Sequence, residues 1–195
     1  MIISLAINLV VFVFAYKYQT DKLTDLTYSF TFLFITLAFL FSAGDAGHSY
    51  RLLIAAMPVL WAIRLGSYLF KRVLTKGRDH RFDAMRPVWW KFGGFWMLQG
   101  VSVWMILLPV VVALNATSEQ VDKAFLLVAL PIGAAIFLFG LLVEAVADAQ
   151  KFKFKTTPGN EGKFMSEGLF SLVRFPNYAG EIMVWAGIFI ACIPV

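Results

Sequence analysis

Six long apolar stretches constrain the fold of this chain more than any other feature. A helix needs about 20 apolar residues to cross the hydrocarbon core of a membrane, within a range of about 17–25. Stretches of this kind cover residues 1–18, 26–43, 52–70, 92–114, 124–147 and about 179–195. We therefore predict an all-α fold, a polytopic transmembrane helix bundle with six spans, in which residues 1–195 form a single domain.

The composition agrees with a membrane protein and excludes two other classes. Of the 195 residues, 60% are hydrophobic and 15% are charged, whereas an average soluble domain carries about 25% charged residues. A soluble globule of this length could not cover its surface with so few polar groups, and disorder requires low hydrophobicity. The first stretch lacks a basic leader and a cleavage site, which indicates a retained span and not a signal peptide.

The basic residues are concentrated in alternate loops. Of the 17 Lys and Arg residues, 14 lie in three segments, 17–22, 71–91 and 151–174, which share one side of a six-span topology. The positive-inside rule makes that side cytoplasmic and places the N-terminus outside. We expect no nucleic-acid partner for the net charge of +5, because no soluble module is long enough to carry such a site.

The chain has few residues of the types that bind metals, and it lacks the common nucleotide-binding motifs. Cys192 is the single cysteine, and His48 and His80 are the only histidines, so we expect neither an internal disulfide nor a metal site. The sequence contains no G-x-G-x-x-G and no P-loop motif, which excludes a Rossmann or P-loop nucleotide site at motif level. Gln99 lies within an apolar stretch and could hydrogen-bond another helix or a ligand, of which the first is commoner.

Charged residues within the apolar stretches are the first candidates for a functional site. Arg64 lies about two turns from the cytoplasmic end of its stretch, with Tyr68 on the same face, and Glu181 opens the last stretch. Glu144 and Asp148 are four residues apart and therefore share a helix face. Such groups usually face a cavity, a partner or a pathway. The alternatives are side chains that extend to the interface, or an Arg64–Glu144 pair that only holds the bundle together.

The segment 151–178 is the second informative region. Lys151, Lys153 and Lys155 alternate with phenylalanines, and Arg174 precedes Pro176, which suits the start of a helix. Cationic groups and a helix start both attract anions, so one interpretation is a clamp for an anionic cofactor. The other is a basic patch beside the membrane that binds anionic lipid.

These residues resemble a known family of membrane proteins. Residues 168–170 read GLF, residues 174–181 read RFPNYAGE, and Trp185 follows. This pattern resembles the G-L-[WF]…R-[H]-P-N-Y-x-G-E…W signature of the DUF1295 group of steroid 5-alpha-reductase-like proteins. Upstream elements agree in the same order: D-x-x-Y at 25–28, W-x-x-R-L at 61–65 and E-x-x-x-D-x-Q at 144–150.

The resemblance implies a fold, a cofactor and a set of site residues. It implies a bundle of about seven helices in an ER-type or bacterial inner membrane, with NADPH bound from the cytoplasmic side. By position, it implies cofactor-binding roles for Arg64, Tyr68, Glu144, Asp148, Lys155, Asn177 and Glu181. We add Arg174 and Tyr178 as further cofactor-binding candidates. The proposed proton-donor tyrosine of the steroid reductases is Trp61 here. Asp25 and Tyr28 are the nearest polar candidates for a catalytic acid.

Three functions follow from the resemblance. The first is an NADPH-dependent oxidoreductase that reduces a C=C bond of a hydrophobic enone or sterol-like lipid. The second is an S-adenosylmethionine-dependent membrane methyltransferase, because the shorter R-x-P-x-Y-x-G pattern also occurs in isoprenylcysteine methyltransferase-like proteins. The third is a non-catalytic lipid-binding membrane protein. The expected partners are a hydrophobic small-molecule substrate and membrane lipid. Cofactor charge separates the enzymes: NADPH would depend on Lys155 and Arg174, and S-adenosylmethionine on Glu144 and Glu181.

Overall fold

A computed structural model describes residues 1–42, 49–76, 79–117 and 119–195. Over these ranges the protein is all-α, and it has six helices. They are α1 (Ile2–Lys17), α2 (Lys22–Ser42), α3 (Ser49–Lys76), α4 (Trp89–Asn115), α5 (Lys123–Thr156) and α6 (Pro176–Cys192). Short 3-10 turns occupy His80–Phe82 and Gly168–Ser171. Each helix corresponds to one predicted apolar stretch, so the all-α prediction is confirmed. His48 and residue 43, the predicted end of the second stretch, lie outside the described residues.

Four of these helices, α2 to α5, are long and apolar enough to cross a membrane. The helix α1 is apolar but has 16 residues, and α6 has 17. At a rise of about 1.5 Å per residue, a helix of that length falls short of a hydrocarbon core of about 30 Å. The structure therefore supports an integral membrane protein with four candidate spans. The six-span count and the orientation stay predictions.

The helices α2 to α6 extend beyond the apolar stretches that predicted them at one end or at both. The longest, α5, begins at the N-cap Asp122, whose carboxylate accepts a hydrogen bond from the Phe125 backbone N–H at 3.0 Å. It continues past residue 147 to Thr156. Lysine and glutamine are good helix formers, so a helix need not stop where its apolar face ends. The α6 helix starts at Pro176, as its fixed φ favours.

The chain divides into two compact units, Met1–Ala116 and Thr117–Val195. In the first unit, α2 packs against α1, α3 and α4, and α1 also packs against α4. In the second unit, α5 and α6 pack along their lengths, and the turn Gly168–Ser171 contacts α5. The prediction of a single domain stays a prediction.

Hydrogen bonds between buried polar groups join α1, α2 and α4 of the first unit. The Ser4 hydroxyl donates to the Gly100 carbonyl at 2.6 Å. The Gln99 amide donates to Asn8 Oδ1 at 2.9 Å and to the Thr24 carbonyl at 3.2 Å. The prediction that Gln99 bonds to another helix is confirmed.

Glycines bring the two helices of the second unit into backbone contact. A Cβ at Gly187 would lie 2.5 Å from the Gly133 carbonyl oxygen, and one at Gly180 would lie 2.8 Å from the Gly140 carbonyl oxygen. Real Cβ atoms do not approach backbone this closely. The same Cβ at Gly180 would lie 2.6 Å from the backbone nitrogen of Glu144. This contact places the start of α6 directly against the part of α5 that carries the predicted acids.

Candidate functional site

The predicted acid Asp25 lies in the first turn of α2 and forms an ion pair with Arg72 of α3. Both side chains are about one-quarter to one-third exposed. The Arg72 guanidinium donates a hydrogen bond to the Asp25 carboxylate, so this carboxylate is already engaged by a cation. The pair links α2 to α3, and the catalytic role of Asp25 stays a prediction.

Tyr28, the other predicted catalytic residue, lies one turn further along α2 in an aromatic cluster. Its ring centroid is 5.0 Å from that of Phe32 and 6.4 Å from that of Trp61, both edge to face. Phe32 and Trp61 are fully buried. Edge-to-face contacts of this kind stabilise packing, and the cluster fixes the orientation of the Tyr28 ring.

Arg64 and Tyr68 share a face of α3, as their spacing predicts. The Arg64 guanidinium lies 5.8 Å from the Tyr68 ring centroid, within the range of a cation–π contact. Both side chains are half-buried. The structure thus brings these two predicted cofactor residues together within the first unit.

Glu144 and Asp148 are brought together on α5 of the second unit. They are 3% and 7% exposed, and both belong to the buried face of the helix. Among the residues described in that unit, they are the buried charged side chains. Carboxylates are rarely this buried unless they serve a specific interaction. Glu144 lies opposite Gly180, which places it beside the predicted motif of α6.

The start of α6 carries three more predicted residues. Asn177 is half-buried, and its Oδ1 atom is buried with no hydrogen-bond partner in the part of the chain that the structure describes. Buried amide oxygens are normally hydrogen-bonded, so this atom is suited to accept a bond from a ligand. Glu181, one turn on, is half-buried. Tyr178 is 56% exposed.

The two predicted cationic residues of this unit lie at the surface. Lys155 is exposed, and its Nζ donates to the Lys163 carbonyl at 2.9 Å, which closes the turn after α5. Arg174 is exposed, and its guanidinium lies 5.3 Å from the Phe175 ring centroid. Both cations therefore have local contacts within the second unit.

Sequence reasoning missed how the segment between α5 and α6 is attached to α5. The Gln150 side-chain oxygen accepts a hydrogen bond from the Leu169 backbone N–H at 3.0 Å. Gly168 has φ +59, and a Cβ there would lie 2.6 Å from the Gln150 amide. Phe170 packs with Met165 against Ala147. The motifs contain Gln150 and Gly168, but their spacing gives no sign that they meet.

The family described as "Protein of unknown function (DUF1295)" matches residues 11–195 of the chain. The chain belongs to the DUF1295 family. This confirms the family suggested by the motifs, and the four long apolar helices agree with a DUF1295 membrane protein.

One curated relative bears on activity. The chain is 42% identical over 59 residues to a protein named "Probable O-methyltransferase ustE" from Ustilaginoidea virens. The aligned part covers 30% of this chain and 21% of that protein, so the match spans about a fifth of the relative's length. No solved structure matches the chain significantly.

Proposed function

We propose that this DUF1295 protein is a membrane-embedded methyltransferase that uses S-adenosylmethionine and modifies an oxygen of a hydrophobic small molecule. The observation that carries the proposal is the identity of 42% over 59 residues to a protein named a probable O-methyltransferase. The acceptor is hydrophobic because long apolar helices make up most of the chain.

The residues of the second unit fit this cofactor chemically. S-adenosylmethionine carries an amino group and two ribose hydroxyls, which donate hydrogen bonds, and a positively charged sulfonium. Glu144 and Asp148 supply buried carboxylates that accept such bonds, and Asn177 supplies a buried amide oxygen. When bound, the cofactor supplies an electrophilic methyl group. The three side chains would hold and orient its polar groups, and the apolar helices would limit the access of water.

The predicted topology indicates from which side of the membrane the cofactor would enter. In the proposed six-span arrangement the N-terminus is outside and the basic loops are cytoplasmic. Glu144 and Asp148 lie near the end of the apolar part of α5, where the basic residues Lys151 and Lys153 begin. A site at this level opens toward the cytoplasm, where a soluble cofactor is available.

A reductase that uses NADPH is the second candidate, with a C=C bond of an enone or sterol-like lipid as its substrate. The observation that favours it is the basic end of α5, with Lys151, Lys153 and Lys155, because phosphates bind cationic groups. Lys155 and Arg174 already have local contacts within the second unit, which argues against their use in a phosphate site. In the reductase, Asp25 and Tyr28 would be the proton donors.

Cofactor binding to detergent-purified protein separates these functions. Melting temperatures are measured with S-adenosylmethionine, NADPH or NADH, because a ligand that binds the folded state raises the melting temperature. The variants are Glu144→Gln and Asn177→Ala. The matched control is Glu161→Gln, which alters an exposed acid of the same unit. We expect S-adenosylmethionine to stabilise the wild type and the control, and to stabilise both site variants less.

The other outcomes have distinct meanings. Stabilisation by NADPH alone, weakened by salt, would replace the methyltransferase with the reductase. No response to any cofactor from a helical protein that unfolds cooperatively would contradict both enzymes and favour a lipid-binding role. If S-adenosylmethionine stabilises the protein as expected, transfer of a labelled methyl group from the cofactor to a membrane lipid extract would identify the class of acceptor.

A further inference from the structure

The segment between α5 and α6, residues 157–175, is folded back onto α5, and we name it the return segment. Its inward side chains are Met165 and Phe170, which are 7% and 8% exposed and pack against Ala147. The hydrogen bond from the Leu169 N–H to Gln150 fixes the same turn to the helix. These contacts attach the return segment to α5 at residues 147–150.

This attachment point lies at the polar boundary of α5. The apolar stretch, which contains Glu144, ends at Ala147, and Asp148 and Lys151 follow it. In a helix that crosses a membrane, such a transition marks the boundary between acyl chains and headgroups. The return segment is therefore held at the depth of the membrane interface.

At this depth the return segment exposes large apolar side chains. Phe164 is 65% exposed, Leu172 is 78% exposed and Val173 is 52% exposed. Because Phe170 points inward, the turn that follows it presents Leu172 and Val173 outward. Adjacent exposed aliphatic side chains in a loop indicate an interaction surface.

Basic side chains outnumber acidic ones in this part of the chain: residues 151–175 contain five Lys or Arg residues and two acids, Glu161 and Glu167. Lys163 is adjacent to Phe164, Arg174 is adjacent to Val173, and Lys153 lies in the last turn of α5; all three are exposed. An apolar centre with a basic rim matches the boundary of a leaflet that contains anionic lipid.

We propose that the return segment is an interfacial anchor for an anionic leaflet. Phe164, Leu172 and Val173 insert at the boundary between headgroups and acyl chains, and Lys153 and Lys163 contact lipid phosphates. These five anchoring residues are distinct from Glu144, Asp148 and Asn177, which hold the cofactor in the proposed methyltransferase, so the anchor stands whether that proposal is right or wrong.

The single cysteine of the chain allows a direct test of depth. In a Cys192→Ala background, a spin label is attached at Leu172→Cys in the full chain. The matched control is Glu161→Cys, in the turn beyond the end of α5. Both proteins are reconstituted into phosphatidylcholine vesicles with and without phosphatidylglycerol, and relaxation by oxygen and by a water-soluble nickel chelate is measured. The melting temperature of the Cys192→Ala protein shows whether the background folds.

We expect the label at 172 to relax more with oxygen and the label at 161 to relax more with nickel. Phosphatidylglycerol should move the label at 172 deeper, and Lys153→Gln with Lys163→Gln should remove that shift. Equal access of nickel to both positions would overturn the proposal. A label at 172 that is shielded from both reagents would also overturn it, because a protein partner or a second copy would then cover the surface.

Discussion

The two units of the protein bury polar groups in different ways. In the first unit, Asp21 and Arg86 form an ion pair at 2.6 Å with both side chains 8% exposed. The buried amide of Gln99 bonds across to α1 and α2. In the second unit, the described buried charges, Glu144 and Asp148, are both acidic and lie on one helix.

The units also differ in how their helices meet. Side chains and hydrogen bonds join the helices of the first unit, whereas glycines bring α5 and α6 of the second into backbone contact. A polar group that joins helices serves stability, and a cluster of like charges beside a family motif is better suited to a ligand. We therefore expect polar substitutions in the first unit mainly to cost stability and, under the proposed function, those of Glu144 and Asp148 mainly to cost cofactor binding.

The largest expected effect is on the Asp21–Arg86 pair. The substitution Arg86→Met would leave the carboxylate of Asp21 buried without its arginine, and we expect a loss of about 3–5 kcal/mol in the free energy of unfolding. Unfolding in mixed detergent micelles measures this loss. The control is Arg81→Met, because Arg81 is 70% exposed, and it should cost less than about 1 kcal/mol. Equal losses would show that the buried pair does not stabilise the first unit.

The second prediction tests the glycine contact. In Gly187→Ala, the new methyl group would meet the Gly133 carbonyl and the Phe137 nitrogen, both at 2.5 Å. Backbone atoms cannot move aside cheaply, so we expect a loss of about 1–3 kcal/mol, measured by the same unfolding assay.

The matched control for this substitution should raise the free energy of unfolding instead of lowering it. A Cβ at Gly94, in α4, would meet nothing within 4 Å, and Gly→Ala at such a helical position gains about 0.5–1 kcal/mol. If Gly187→Ala were as well tolerated as Gly94→Ala, the contrast between the two packing modes would be wrong.

The third prediction concerns the hydrogen bond between Gln99 and Asn8. A double-mutant cycle with Gln99→Leu and Asn8→Leu should give a coupling energy of about 0.6 kcal/mol and no more than about 1.7, the range measured for hydrogen bonds in membranes. Ser102→Ala, at a half-buried position of the same helix whose hydroxyl donates to the Leu98 carbonyl, controls for the loss of a polar group. A coupling energy of zero would show that the hydrogen bond between Gln99 and Asn8 does not stabilise the first unit.

Much of the secondary structure could be predicted because hydropathy is a local property. A run of about 20 apolar residues can satisfy its backbone in a membrane only as a helix, and all six stretches are helices. Helical spacing also predicted that Arg64 and Tyr68 share a face. The helix ends were missed, as for Thr156, because hydropathy reports the environment of a helix and not its length.

The partners of the site residues could not be predicted, because they are far apart in sequence. Nothing near Asp25 indicates that it pairs with Arg72, and nothing near Gln150 indicates that it binds Leu169. The surface position of Lys155 was also missed, since charge alone suggested a clamp and its contact with Lys163 depends on the turn that follows. Such contacts depend on tertiary packing, which a pattern of residue types does not encode locally.

The smallest expected effect lies in the charged loop of the first unit. Hydrogen bonds from the Arg81 side chain are the main cause that lowers the pKa of Asp79 from 3.8 to about 2, against the opposing effect of burial. Because the folded state favours the ionised acid, its contribution is complete above about pH 4 and is lost as the pH falls toward 2. The free energy of unfolding should therefore decline over this range, and Arg81→Gln should reduce the decline.

The size of this decline bears on what stabilises the loop. Since Arg81 is 70% exposed, its pair with Asp79 should contribute less than about 1 kcal/mol, far below the buried Asp21–Arg86 pair. The comparison of wild type with Arg81→Gln cancels the titration of other acids. A difference in the free energy of unfolding as large as the cost of Arg86→Met would mean that water does not screen the exposed Asp79–Arg81 pair. The buried Asp21–Arg86 pair would then contribute no more to the first unit than an exposed one.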